Sequence, residues 1–118
     1  MYTVRGTQGA VKPALEFFDP DGIGWEDLGG GLHQKILAGD AASDDHTRLL
    51  RFDPGTVTSD TLTHSFWEEV WILSGSIRDL RLDETFGAGT YACRPPGMPH
   101  GPWESPDGCT TFEVRYSR

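Results

Sequence analysis

The sequence predicts an all-β fold, a small antiparallel barrel or jelly roll, and three observations carry that expectation. Fifteen glycines and eight prolines interrupt a chain of 118 residues every few positions, which suits short strands joined by turns far better than helices. Between the interruptions lie runs rich in β-branched and aromatic residues, the side chains that pack well on a pleated surface. With 36% apolar and 24% charged residues the chain can build one hydrophobic core, and its length suits one domain over residues 1–118.

Taken in order, the stretch to about Phe18 shows no sustained period and reads as an arm. "DPDGIGWEDLGGG", residues 19–31, is loop-rich, so residues 1–30 together form an arm and loop-rich lead-in. "LHQKILAG" at 32–39 alternates weakly as a strand, and "HTRLLRFDPG" at 46–55 is a strand closed by an Asp-Pro-Gly turn. "EEVWILSGSIRDLRL" at 68–82 reads as a hairpin about Ser74 and Gly75, because glycine supplies the positive φ of a tight turn. "GTYACRPPG" at 89–97 ends with Pro96 and Gly97 suited to the central positions of a type II turn. In "TTFEVRY", 110–116, Phe112, Val114 and Tyr116 share one face of a strand, and Thr111, Glu113 and Arg115 the other. Six to eight strands at this spacing are expected.

A net charge of −8 without a Lys/Arg stripe opposes binding to nucleic acid or to an anionic membrane surface, so the expected partner is a small molecule or another protein. No window approaches the roughly eighteen apolar residues of a spanning helix, and "MYTVRGTQGAVKPALEFF" lacks the apolar block of a signal peptide. Cys93 and Cys109 form no C-x-x-C and are expected to stay reduced, which together places the chain in the cytoplasm.

The chemistry-bearing residues concentrate in two stretches. In "LTHSFWEEVWILSGS", 62–76, a strand beginning near Glu68 sends Glu68, Val70 and Ile72 to one side and Glu69, Trp71 and Leu73 to the other. Only one of the two glutamates can enter a barrel, and a carboxylate there needs a partner, hydrogen bonds or a metal. Taken alone, both can equally lie at an exposed strand entrance with His64 in a loop. In "GAGTYACRPPGMPHGPW" Pro95, Pro96 and Pro99 restrict the backbone around His100, which suits an aimed side chain or simply a rigid loop.

Together the two stretches resemble the paired motifs of the cupin superfamily. The first, G-x5-H-x-H-x3,4-E-x6-G, is matched by His64, Glu68 and Gly75; the second, G-x5-P-x-G-x2-H-x3-N, by Gly89, Pro95, Gly97 and His100. Leu62 stands where the first motif has its leading histidine, Gly55 lies one residue too far upstream, and Glu104 takes the asparagine position. Within the superfamily, residues 46–116 look most like the ChrR-type cupins, which include a zinc-binding anti-sigma domain and dioxygenase-like single-domain proteins. The resemblance implies a single-domain cupin barrel with its core in 46–116, and a homodimer. It also implies one divalent metal, iron, zinc or manganese, on His64, Glu68 and His100.

Two imidazoles and one carboxylate leave positions open for oxygen and substrate on non-haem iron, and suit catalytic zinc or manganese as well. The expected function is accordingly a metal-dependent enzyme acting on a small organic molecule by dioxygenase-type oxidation. Loss of metal is the alternative, because leucine cannot ligate. The rival functions are a non-enzymatic sensor or binding module of the anti-sigma kind, and a metal-free isomerase or cyclase. His33 and His46 are candidates for the missing ligand, though a core or exposed histidine is the commoner role. Cys93 is expected as a small buried hydrophobe or a pocket residue; Trp67, Trp71 and Trp103 as core, dimer or pocket residues; Glu104 at the surface.

Overall fold

The computed structural model describes residues 12–117, and the part of the expected arm before residue 12 lies outside them. Among the described residues are one 3-10 turn, Pro20–Gly22, and nine strands: β1 Glu26–Gly29, β2 Leu32–Gly39, β3 His46–Phe52, β4 Thr56–Val57, β5 Trp67–Asp79, β6 Glu84–Gly87, β7 Tyr91–Arg94, β8 Trp103–Ser105 and β9 Cys109–Tyr116. Every pairing is antiparallel, in the order β1-β2-β3-β9-β5-β8-β4, with β6 and β7 also on β5. The fold is all-β, a sheet curled into a half-barrel.

The curl is made by β5, and here the hairpin expected over 68–82 is corrected. Thirteen residues run without reversal from Trp67 to Asp79: the first half pairs with β7 and β9, the second with β6 and β8. Gly75 does adopt positive φ, +74°, but the conformation bends a strand beside a register shift between Ile72 and Ser74. A Cβ at this position would lie 2.0 Å from the Gly108 carbonyl oxygen, so glycine also permits the backbone approach. The reversal comes after Asp79, whose Oδ1 accepts from the N–H groups of Arg81 (2.8 Å) and Leu82 (3.0 Å).

One further correction concerns a segment read as loop-rich: residues 19–31 contain β1, whereas the proline-rich stretch before β8 is a loop as expected. Pro20 and Trp25 cover the outer side of β2 and β3. The Lys35 ammonium donates to the Pro20 carbonyl (3.0 Å) and, like the Arg51 guanidinium, lies over the Trp25 ring. That cover accounts for the burial of a lysine.

Strand register grades the interior from polar to apolar. Glu68 on β5 stands between Arg94 on β7 and Arg115 on β9. The next inward row holds Val70, Glu113 and Arg48, and the one after it Ile72, Thr111 and Leu50. Cys109 and Phe52 follow, and Leu50, Phe52, Ile72, Ile77 and Cys109 form the core, with Leu32, Phe86 and Trp103 packed against it. Along β9 the buried residues are Cys109, Thr111 and Glu113, while Phe112, Val114 and Tyr116 occupy the opposite, outer face.

Candidate metal centre

Backbone hydrogen bonds bring the two chemistry-bearing stretches together. Leu62 and His100 exchange both of theirs, Leu62 N–H to His100 O (2.7 Å) and His100 N–H to Leu62 O (2.9 Å). The Gly97 N–H donates to the His64 carbonyl (2.8 Å) from the expected turn, where Met98 N–H reaches Pro95 O (3.2 Å) and Gly97 has φ +84°. His64 and His100 thus arrive from two loops beside Glu68, which the alternation of β5 sends inward. One ligand atom from each of the three lies within 4.8 Å of the others. His64 stacks on Phe66 (4.5 Å between centroids), and the Arg115 guanidinium lies over the Phe66 ring.

Electrostatics at this end are those of a buried polar cluster. Burial, then the charges of Arg94 and His64, lowers the His100 pKa to about 4. His64 is lowered too, chiefly by burial and then by Arg115 and Arg48. Both imidazoles are neutral at pH 7 and carry a lone pair for a metal or a proton. Glu68 accepts from Arg115 Nε (2.8 Å) and from an η nitrogen of Arg94 (3.4 Å). Burial and the neighbouring Glu113 nonetheless raise its pKa, outweighing the two arginines. Glu113 behaves oppositely: burial pushes it up, but Arg48 and Arg115 with the Thr111 hydroxyl hold it below its ordinary value.

The cluster opens into a cavity of about 350 Å³ whose walls include Leu50, Phe52, Val70, Ile72 and Phe86. This volume lies at the small end of the roughly 300–1,000 Å³ of small-molecule pockets.

The profile of the ChrR Cupin-like domain matches residues 14–116. The chain belongs to this family. A sequence comparison with curated proteins finds no match. Among solved structures, the anti-sigma protein ChrR in complex with SigE from Rhodobacter sphaeroides is 26% identical, with a TM-score of 0.62 over 78% of this chain and 48% of that one. This chain therefore spans about half of that protein. An RmlC-like cupin from Shewanella frigidimarina aligns with TM-score 0.71 at 19% identity, over 89% of this chain and 93% of that one. An acetylacetone dioxygenase from Acinetobacter johnsonii aligns with TM-score 0.67 at 13% identity, over 98% and 79%. These last two likenesses concern the fold.

The donor set of this ChrR cupin-like domain fits a divalent ion. Nδ1 of His100 is buried without a hydrogen-bond partner among the described residues, in a protein interior where such atoms are rare. A carboxylate with two guanidinium bonds still has lone pairs to spare. Leu62 lines the same cavity, so the residue at the missing ligand position does face the site.

The other expectations divide. Neither His33 nor His46 joins the cluster: His33 Nε2 pairs with Asp53 (2.9 Å), and His46 Nδ1 donates to the Ser43 carbonyl (2.8 Å). Glu69 stays outside, accepting from the hydroxyls of Tyr91 and Tyr116. Cys93 is exposed rather than buried, because the alternation of β7 turns it outward opposite Glu69. Trp103 lines the cavity, whereas Trp71 is exposed and Trp67 stacks on Tyr116. Glu104 pairs with Arg78 (3.0 Å). The sequence reading missed Arg48, Arg94, Arg115 and Glu113. The signal available was the shared face of Thr111, Glu113 and Arg115, which identifies a polar strand face but not its direction.

Proposed function

We propose that the chain is a metal-dependent enzyme of small organic substrates, with one divalent ion on His64, Glu68 and His100. The observation that carries this reading is the convergence of two neutral imidazoles and a carboxylate at the polar end of an otherwise apolar cavity. When bound, iron at three such donors supplies the redox chemistry for adding dioxygen to an organic molecule, and zinc or manganese supplies a Lewis acid. The chain's own residues do the rest. Arg115 and Arg94 hold the Glu68 carboxylate in place, Phe66 orients His64, and the apolar walls keep water from the substrate. Dioxygenase-type oxidation is the preferred reaction because three ligands leave coordination positions open.

Protein prepared under oxygen-free, metal-replete conditions is expected to hold one ion per chain, and His64→Ala to lose it, by elemental analysis. No metal above background in the unaltered protein would end this reading. A second reading, a non-enzymatic binding module, is supported by the 26% identity to the anti-sigma ChrR. Capture of a sigma-like partner with no oxygen uptake from any small organic substrate would favour it. Activity that persists in chelator would instead favour a metal-free isomerase or cyclase. A homodimer is also inferred, supported by the apolar Trp71, Leu73 and Tyr91 exposed on the outer side of β5 and β7. Two free thiols suit the cytoplasm, and no helix among the described residues is long and apolar enough to cross a membrane.

A further inference from the structure

We propose that the cavity takes a small organic carboxylate with an apolar body, its carboxylate group received by the guanidiniums of Arg94 and Arg115 beside Glu68. The first observation is a charge contrast. The chain as a whole carries −8, yet its cavity is lined by four arginines, Arg48, Arg81, Arg94 and Arg115, against three carboxylates, Glu68, Asp79 and Glu113. Arg81 is exposed and donates to the Pro99 carbonyl (3.2 Å), so this acidic protein encloses as many arginines as carboxylates, three of each.

Hydrogen bonding locates the donors left unused. Asp79 is satisfied by the backbone N–H groups of its turn, and Glu113 by Arg48 (2.9 Å) and the Thr111 hydroxyl (2.9 Å). Glu68 is shared between two guanidiniums, one at 2.8 Å through Nε of Arg115 and one at 3.4 Å through a single η nitrogen of Arg94. Among the described residues, no hydrogen bond engages the η nitrogens of Arg115, or Nε and the second η nitrogen of Arg94. These donors lie on two planar groups held against rings, Arg94 over Trp103 (5.2 Å) and Arg115 over Phe66 (4.8 Å). A planar fork of unused N–H donors matches a carboxylate in both charge and shape. Beyond it the walls are mainly apolar and the Asp79 carboxylate and Arg81 are engaged by backbone, so the rest of the ligand is hydrocarbon or aromatic rather than a second charged group.

This inference names the substrate class of the enzyme proposed above and rests on that reading only for its coupling to metal. A divalent ion on Glu68 would stand beside two guanidiniums, and an anion arriving there relieves the repulsion. Metal and carboxylate then strengthen each other's binding, reciprocally.

The test compares benzoate with benzamide, nearly equal in shape and different in charge, by calorimetric titration of the full chain. In chelator-treated protein, benzoate is expected to bind at least about tenfold more tightly than benzamide. Arg94→Gln should remove that preference and leave benzamide unchanged. Glu68 keeps its shorter Arg115 bond in this variant, and circular dichroism checks the fold. Arg94→Lys, which keeps the charge without the fork, should fall between. Should either variant fail to fold, loss of the benzoate preference at high salt in the unaltered protein reads the same attraction. Mn²⁺ titrated in the presence of benzoate should bind at least about fivefold more tightly than in benzamide, the lower end of typical coupling. Equal binding of benzoate and benzamide, an unchanged preference in folded Arg94→Gln, or inorganic phosphate binding as tightly as benzoate would overturn the proposal. Failure of Mn²⁺ to bind under any condition would instead sink the metal reading, leaving the comparison in chelator to decide the carboxylate.

Discussion

The two ends of the interior are built by the same strands and the same alternation, yet they do opposite work. At one end Phe52, Ile72, Ile77, Leu50 and Cys109 exclude water and hold the sheet together. At the other, four to six residues away along β5 and β9, the inward positions carry Glu68, Glu113 and Arg115, with His64 and His100 added from loops. Glu68, Glu113 and Arg115 are tolerated there because each has a counter-charge, whereas Nδ1 of His100 has no hydrogen-bond partner among the described residues. The lesson is that polarity in this half-barrel changes along the strands, so the apolar end can maintain a fold that the polar end alone would not support.

The largest expected effect separates the two ends by stability. Phe52→Ala should cost about 3–5 kcal/mol in urea unfolding, as a buried aromatic replaced by a cavity, whereas His64→Ala should cost under about 1 kcal/mol while abolishing metal binding. Comparable losses from the two would erase the division.

A smaller effect lies in pH dependence. The folded-state pKa of His100, about 4, is below its ordinary value of 6.5, so the unfolded chain binds more protons between those values. The contribution of neutral His100 is complete above about pH 6.5 and is lost as pH falls toward 4, on the order of 3 kcal/mol. Metal-free protein should show this slope in excess of that of His100→Leu, and Phe52→Ala should keep it. Parallel curves for His100→Leu and the unaltered protein would contradict the burial assigned to this imidazole.

The smallest change sharpens the boundary of the polar end. Leu62→His should tighten metal binding about tenfold, roughly 1.4 kcal/mol, in a competition assay with a chelator, because position 62 lines the cavity and is tied to His100 through the backbone. Stability should shift by no more than about 0.5 kcal/mol, since Leu62 is 45% exposed. Unchanged affinity would mean that the side chain at 62 cannot reach the ion.

Much of this was legible in the residue order. Turn chemistry at Pro95–Met98 and the alternation of Glu68 against Glu69 are local properties, and both are found as read. Gly75 shows where locality ends: positive φ is required, but whether it reverses a chain or bends a strand depends on the Gly108 carbonyl opposite. Likewise, alternation puts Phe112, Val114 and Tyr116 on one face and Thr111, Glu113 and Arg115 on the other, and only the curl of the sheet decides that the second set lies inside.

The sequence by itself determined an all-β chain with paired cupin motifs and three candidate ligands, because spacing and turn residues act within a few positions of one another. Only the tertiary structure decided that Arg94 and Arg115 flank Glu68, that His33 and His46 stand apart, and that the cavity of an acidic protein encloses as many arginines as carboxylates. Those facts depend on register between strands distant in sequence, and period-two alternation says which residues share a face without saying which face is inside.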